Sequence, residues 1–357
     1  MMAVPLATAL TDRIDARRVY LVGGIFASFG LLGMGFLASN FWTALLFMAI
    51  NGAGLAGTYM PGLKILSDRI EAGELTRPFY TVFFGIGTGF SYLCSGWILN
   101  ALGWHYVFGI ISLGPLAAFL IVLFLIPPLA HEKWSGPLRL HIRDLFPVHQ
   151  WKQVLENKKA AGFIFGYTAH TIELFASRSW IVAFFAFCVA SSGELFFLAI
   201  TTLAGIINFF GVPASILGNE LALRIGRQKW VCIVMLTSAV CGIALALSTG
   251  HSWWLILSLA VVHAIFIMAD SATLTAGLVI SAQKNIKGAA MGLHSLMGFG
   301  GGLLGPAIFG FVLDIAGSRS SHSAWVWAYI AIVIWGVLFV LYERRKGWVE
   351  KQINERS

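Results

Sequence analysis

The chain is cut into apolar runs of about 20 residues or more, and almost every charge lies in the connections between them. A run of that length crosses a hydrocarbon core of ~30 Å as a helix. In lipid, only helices and closed barrels satisfy their own backbone polar groups. Setting the apolar runs against breakers and charges predicts ten full spans, near 18–38, 41–66, 79–100, 104–127, 160–189, 193–219, 230–249, 252–281, 289–315 and 324–343. Hydrophobic residues make up 58% of the 357 and charged ones 11%, a balance that excludes an ordinary soluble domain. The expected class is an all-α integral membrane protein with ten full transmembrane helices plus a partial N-terminal one. That partial helix, Met1 to Thr11, is apolar but too short to span, and it lacks the charged n-region of a signal peptide.

The charges sort by side. Of the 24 Lys and Arg residues, all but Arg178 and Arg319 can be placed on one face of the membrane. The connections Ser39-Asn40, Leu102-Gly103, Ser191-Ser192, Gly250-His251 and 317–323 hold Arg319 and no other Lys or Arg. The alternate connections hold Arg13, Arg17 and Arg18; Lys64, Arg69 and Arg77; a basic loop at 128–159; then Arg224, Arg227 and Lys229; then Lys284 and Lys287. A basic tail follows from Arg344. Basic residues near span ends are retained on the cytoplasmic side, so these loops and the C-terminus are expected there. The net charge of +8 then reflects topology, and no separate basic face exists for nucleic acid. Trp42, Trp104, Trp253, Trp254, Trp325 and Trp327 are expected at the outer interface, where an indole ring prefers to lie. Cys94, Cys188, Cys232 and Cys241 fall inside spans without metal-ligand spacing.

The sequence repeats itself at a shift of about 211–214 residues. Leu10 to Ile14 with Arg17-Arg18 faces Leu221 to Ile225 with Gln228-Lys229. Trp42 faces Trp253, Gly87 and Gly89 face Gly298 and Gly300, and the stretch 96–103 faces 310–317. Two parallel repeats joined by a long loop are a transporter architecture.

With these motifs the chain resembles the major facilitator superfamily. That family carries Gly-x-Leu-Ala-Asp-Arg-x-Gly-Arg-Arg between its second and third helices, echoed between the eighth and ninth. The first copy here is Thr8 to Arg18, retaining Asp12, Arg13 and Arg17 but with Thr8 and Asp15 at the glycine places. The second is Gly218 to Lys229, retaining Gly218, Arg224, Gly226 and Arg227, with Leu223 in place of the aspartate. The fourth-helix pattern Arg-x-x-Gln-Gly-x-Gly appears as Met48 to Gly54 without its arginine, leaving Asn51 as the polar residue. The resemblance implies a two-bundle fold of pseudo-symmetric repeats. Its parts would be a truncated N-terminal bundle at 1–127, a cytoplasmic linker at 128–159, a six-helix bundle at 160–343 and a tail at 344–357. The linker would carry a short amphipathic helix near 151–159. On this alignment the family's first helix and half of its second are absent from the chain as written. The resemblance further implies that the loop motifs, Asp12 with its arginines and the second copy, pair with neighbouring helix ends and gate access.

Ionisable groups inside a span cost roughly 2.5–3.5 kcal/mol each on insertion scales, so those that remain usually face a cavity or a partner. The richest cluster is Tyr167, His170, Thr171, Glu173, Ser177 and Arg178. At ~1.5 Å per residue His170 lies near mid-bilayer. His170, Glu173 and Ser177 share one helix face, while Arg178 points more than a quarter turn away. The functional reading makes Glu173 a proton carrier or ammonium-binding group, His170 its titrating neighbour, and Arg178 the holder of an anionic group. The structural reading is a polar lock between helices, with Arg178 reaching the outer interface. His263 and Asp270 sit seven residues apart on one face of the span 252–281, a second cavity-lining pair or a packing hydrogen bond. Asn51, Tyr59, Asn208 and His294 are weaker candidates. The glycine-rich run 297–306 lacks the strand and the Lys-Ser/Thr of a phosphate loop and is expected to pack helices closely.

The leading functional expectation is a secondary transporter of a small solute working by alternating access, coupled to protons through Glu173, His170 or Asp270. Efflux of drug-like or amphipathic compounds is the alternative within transport, and a non-transporting membrane sensor the alternative of another class. With no nucleophile triad or metal spacing, an enzyme is not expected, and neither is a cofactor beyond the coupling proton. The expected partners are the solute and the lipid bilayer. A monomer in a bacterial inner membrane is the expected form.

Overall fold

A computed structural model of the chain describes residues 3–11, 14–69, 76–128, 146–193, 196–283, 286–317 and 319–354, with the backbone alone at 8–9, 63, 66–69, 76–85, 287–288 and 346–354. Among the described residues every regular element is a helix. In order they are α1 (Ala3–Thr11), α2 (Ala16–Phe36), α3 (Phe41–Arg69), α4 (Thr76–Leu102), α5 (Trp104–Ile111), α6 (Leu113–Leu125) and α7 (Val148–Glu156). Then come α8 (Lys158–Ser192), α9 (Ile200–Ile225), α10 (Arg227–Leu247), α11 (Trp253–Met268), α12 (Ser271–Ser281), α13 (Lys287–Ile315) and α14 (His322–Asn354). Nine stretches among the described residues are long and apolar enough to cross a membrane. The tenth expected span, 79–100, falls in α4, whose side chains before Ile86 lie outside the described residues.

Two of the expected spans are jointed. The span at 104–127 is α5 and α6, parted at Ser112, whose hydroxyl donates to Gly109 O at 2.5 Å. The span at 252–281 is α11 and α12, parted at Ala269-Asp270. Asp is a poor residue for a helix interior and a good one for a helix start. Asp270 takes that starting position, but its carboxylate makes no hydrogen bond to the amides of α12.

The residues gather into two compact units, Met1–Tyr80 with Ser91–His149, and Thr81–Phe90 with Gln150–Ser357. In the first unit α2 lies against α3 through small residues. A Cβ on Gly23 would fall 2.6 Å from Gly57 C, and one on Gly30 would fall 2.5 Å from Asn51 N. Asp15, at a family glycine place, caps α2 by accepting from Arg17 N at 3.0 Å. Arg17 in turn donates to Ile126 O at 2.6 Å and Leu123 O at 2.8 Å, placing a cation on the free carbonyls that end α6. Asp12 and Arg13 lie outside the described residues.

Two helices extend past the expected segments at 151–159 and 160–343. The surface helix α7 begins three residues before the predicted stretch and is no loose tether. Val154 is 1% exposed, in one core cluster with Phe163, Leu278 and Phe339. Asn157 caps α8 and donates from Nδ2 to Ser281 O at 2.9 Å. At the other end α14 runs unbroken from the last span through Asn354, so residues 344–354 of the expected tail continue that helix.

Trp253 and Trp325 are core residues of this unit rather than interface anchors, at 6% and 1% exposure. Trp325 packs with Phe184, Phe187, Phe309 and Trp180. The glycine run of α13 packs on α8: a Cβ at Gly301 would lie 2.9 Å from Thr168 O, and one at Gly305 would lie 2.2 Å from Ile172 O. Such approach is what small residues provide between membrane helices.

The joint at Ala269-Asp270 is itself held. Trp230 Nε1 on α10 donates to Ala269 O at 3.0 Å in a buried setting. Replacing Trp230 by Phe keeps an aromatic ring but strands that carbonyl, which should destabilise the protein by about 1–3 kcal/mol. A fall in melting temperature in detergent, relative to the unaltered protein, measures it.

Candidate functional site

The ionisable residues predicted inside the membrane converge in the second unit, but with partners other than those their own helices suggested. Glu173 and His170 lie one turn apart on α8. Each reaches across to a different helix. His263 Nε2 on α11 stands 3.0 Å from Glu173 Oε1, and Ser238 Oγ on α10 donates to the same oxygen at 2.5 Å. His170 Nδ1 stands 2.8 Å from Asp270 Oδ1 at the α11–α12 joint. The direction of that approach falls short of a formed hydrogen bond, and Oδ1 has no other partner among the described residues. All four groups are nearly dry, at 2–4% exposure. Two acids and two imidazoles therefore form crossed pairs tying α8 to α11 and to the start of α12.

Buried charges at this depth persist when paired. One proton shared by a carboxyl and an imidazole leaves each pair with no net charge, whichever partner holds it. A second proton would make the pair cationic and loosen it. Loss of the shared proton would leave a lone carboxylate. The arrangement can thus hold or release a proton and change how firmly two helices grip one another.

An aromatic column extends from the second pair. Tyr167 stacks on His294 of α13 with ring centroids 3.7 Å apart and lies 5.8 Å from His170. His294 Nε2 meets Thr275 Oγ1 at 3.3 Å, while its Nδ1 is buried without a hydrogen-bond partner among the described residues.

On the other side of Glu173 and His263 is a cavity of about 40 Å³, lined by Leu174, Ser177, Arg178, Asn208, His263 and Met268, among others. That is room for about one or two waters or one small polar group. Arg178 Nε donates to Asn208 Oδ1 at 2.9 Å, and its Nη2 approaches Met268 Sδ at 3.7 Å. Asn208 Nδ2 donates to Ala204 O at 2.8 Å. Ser177 Oγ is buried with no hydrogen-bond partner among the described residues.

Tyr167, His170, Glu173, Arg178, Asn208, His263 and Asp270 thus come together in the second unit. Asn51 belongs to α3 of the first unit. The second loop motif divides. Gly226, at φ +99°, is the single residue between α9 and α10. Arg224 pairs with Glu220 at 3.4 Å in the open, worth little, and Arg227 Nη1 donates to Asn219 Oδ1 at 3.0 Å. Gly218 lies two turns inside α9 and is a packing residue: a Cβ there would fall 2.0 Å from Ala269 O. Ser238 and Trp230 were not legible as site residues, since a lone serine and a lone tryptophan in apolar spans carry no spacing signal.

The profile described as Major Facilitator Superfamily matches residues 1–209. Among curated proteins, the multidrug transporter protein MdtP of Bacillus subtilis (strain 168) is 30% identical over 149 residues, 40% of this chain and 26% of that protein. The bicyclomycin resistance protein homolog of Haemophilus influenzae is 26% identical over 234 residues, 60% of this chain and 53% of that protein. The chain thus spans about a quarter and about half of the lengths of these relatives. Among solved structures, a bacterial homolog of the human lysosomal transporter Spinster, inward-facing and unoccupied, is similar with a TM-score of 0.65 at 15% identity, covering 96% of this chain and 86% of that one. A POT family transporter in complex with a thioalcohol-conjugated peptide gives 0.74 at 11% identity, with the same coverage. At these identities the likeness concerns the fold.

Proposed function

Because the chain belongs to the Major Facilitator Superfamily, a family of membrane transporters and not of enzymes, we propose that it moves a small solute across a membrane by alternating access, with protons as the coupling ion. The observation that carries this reading is the crossed arrangement of Glu173–His263 and His170–Asp270. Protonation of either pair alters its charge and its grip between helices, which is the link a coupled transporter needs. Arg178, Asn208 and Ser177 supply the polar side of the neighbouring cavity, and Tyr167 continues the aromatic column. Arg17, at the end of α6, and Arg227, at the start of α10, act as gating contacts at helix ends. No cofactor is required beyond the proton. The distribution of basic residues supports a cytoplasmic C-terminus, and the reading takes the protein as a monomer in a bacterial inner membrane.

Efflux of amphipathic compounds is favoured as the direction of transport by the names of the two curated relatives, one a multidrug transporter and one a bicyclomycin resistance homolog. Liposomes with an acid lumen and the purified protein should accumulate ethidium or bicyclomycin, and a proton ionophore should reduce that to the level of empty liposomes. Accumulation that ignores the ionophore would overturn the coupling. Absence of both accumulation and counterflow for each compound would overturn the efflux reading.

A further inference from the structure

We propose that a groove at the basic end of the second unit, lined by Lys159, Phe163, Arg227, Gln228, Ile280 and Ser281, binds the headgroup of an anionic glycerophospholipid. The groove encloses about 180 Å³ where the first turn of α8, the first turn of α10 and the last turn of α12 meet. Its polar rim is Lys159, Arg227, Gln228 and Ser281, and among the described residues no carboxylate lines it. Two cations with a side-chain amide are suited to a phosphate. The amides that begin α10 receive no side-chain cap at Gly226, so the positive end of a 21-residue helix adds to the same field.

The walls are fixed in place. Asn157 joins the start of α8 to Ser281 O, and Ser281 Oγ is bonded back to Gly277 O at 2.7 Å. One donor of Arg227 is spent on Asn219, which holds the guanidinium at the rim. Below the rim the lining becomes apolar: Phe163 is a core residue, while Ile280 is 66% exposed and lies outward. A free phosphate has no use for an apolar wall beneath its site. A phospholipid has, because its acyl chain continues where its phosphate ends. Basic pockets between membrane helices on the positive side are the usual sites of such headgroups.

Native mass spectrometry of the delipidated full chain tests this. With added phosphatidylglycerol, the protein should retain one lipid in preference to phosphatidylcholine. Lys159→Gln with Arg227→Gln should weaken that binding by about thirtyfold, taking about 1 kcal/mol for each cation removed. Lys159→Glu, at an exposed position in the first turn of α8, should weaken it comparably while leaving the lipid-free melting temperature unchanged, so a folding defect in the double variant would not obscure the result. Arg224→Gln, outside the groove, should bind as before. Equal retention of phosphatidylcholine would overturn the proposal, as would unaltered binding by both charge variants. Displacement of the lipid by millimolar inorganic phosphate would point to a free phosphate and overturn the lipid assignment.

Discussion

Glu173→Gln should yield a folded protein that still exchanges solute for solute across a liposome membrane but no longer drives it with a proton gradient. The amide oxygen can accept from Ser238 and His263 as Oε1 does, so the tie between α8, α10 and α11 survives. On the proposed mechanism, what disappears is the proton-carrying group, and with it the coupling to the gradient. Accumulation under an acid-lumen gradient should fall to background while counterflow persists. Glu173→Ala is a different experiment: it leaves His263 buried without its partner, a loss of about 3–5 kcal/mol when one member of a buried pair is removed. Asp270→Asn should uncouple in the same manner through the second pair. If Glu173→Gln and Asp270→Asn both retain pH-dependent transport, neither carboxyl carries the coupling proton.

The largest structural effect is expected at Gly218. In Gly218→Val the new Cβ would stand 2.0 Å from Ala269 O and 2.7 Å from Ala269 C, both backbone atoms of the α11–α12 joint. That backbone cannot withdraw without dropping the bond from Trp230 Nε1 and shifting Asp270 away from His170. Overpacking of this kind destabilises by roughly 3 kcal/mol or more. The variant should be recovered in low yield, with a broadened size-exclusion peak and a lower melting temperature. Gly277→Ala is the milder comparison, because its Cβ would meet ring carbons of the Phe163 side chain rather than backbone. A Gly218→Val protein that melts with the unaltered one would show that the joint is free to retreat.

The fold was largely legible because burial in lipid leaves few options. Apolar length, the sorting of Lys and Arg and the paired loop motifs suffice to define a helical transporter fold. The joint at Ala269-Asp270 escaped because the residues on either side are apolar enough to read as one span; a single aspartate marks it. The site was legible as a set of residues and illegible as a set of pairs. Helical spacing places His170 with Glu173 and His263 with Asp270, whereas contacts across helices depend on rotations and depths that a linear sequence does not fix. Asn208 was a weak candidate on its own, and its bond to Arg178 is what gives it a place. Trp253 and Trp325 were assigned to the interface by a rule about indole rings. Their burial depends on neighbours such as Phe184, Phe185 and Phe187, which the sequence shows only as more apolar residues.

The crossed pairs also impose an order on biosynthesis. Glu173 precedes His263 by 90 residues, so α8 leaves the ribosome with an acid and an imidazole whose partners do not yet exist. At about 5–20 residues per second the interval is roughly 5–20 s. During it α8 lacks its final partners, and lipid favours the uncharged forms, a protonated carboxyl and a neutral imidazole. An arrest between α9 and α11 would strand them at mid-bilayer, exposing to quality control a feature that the finished protein conceals.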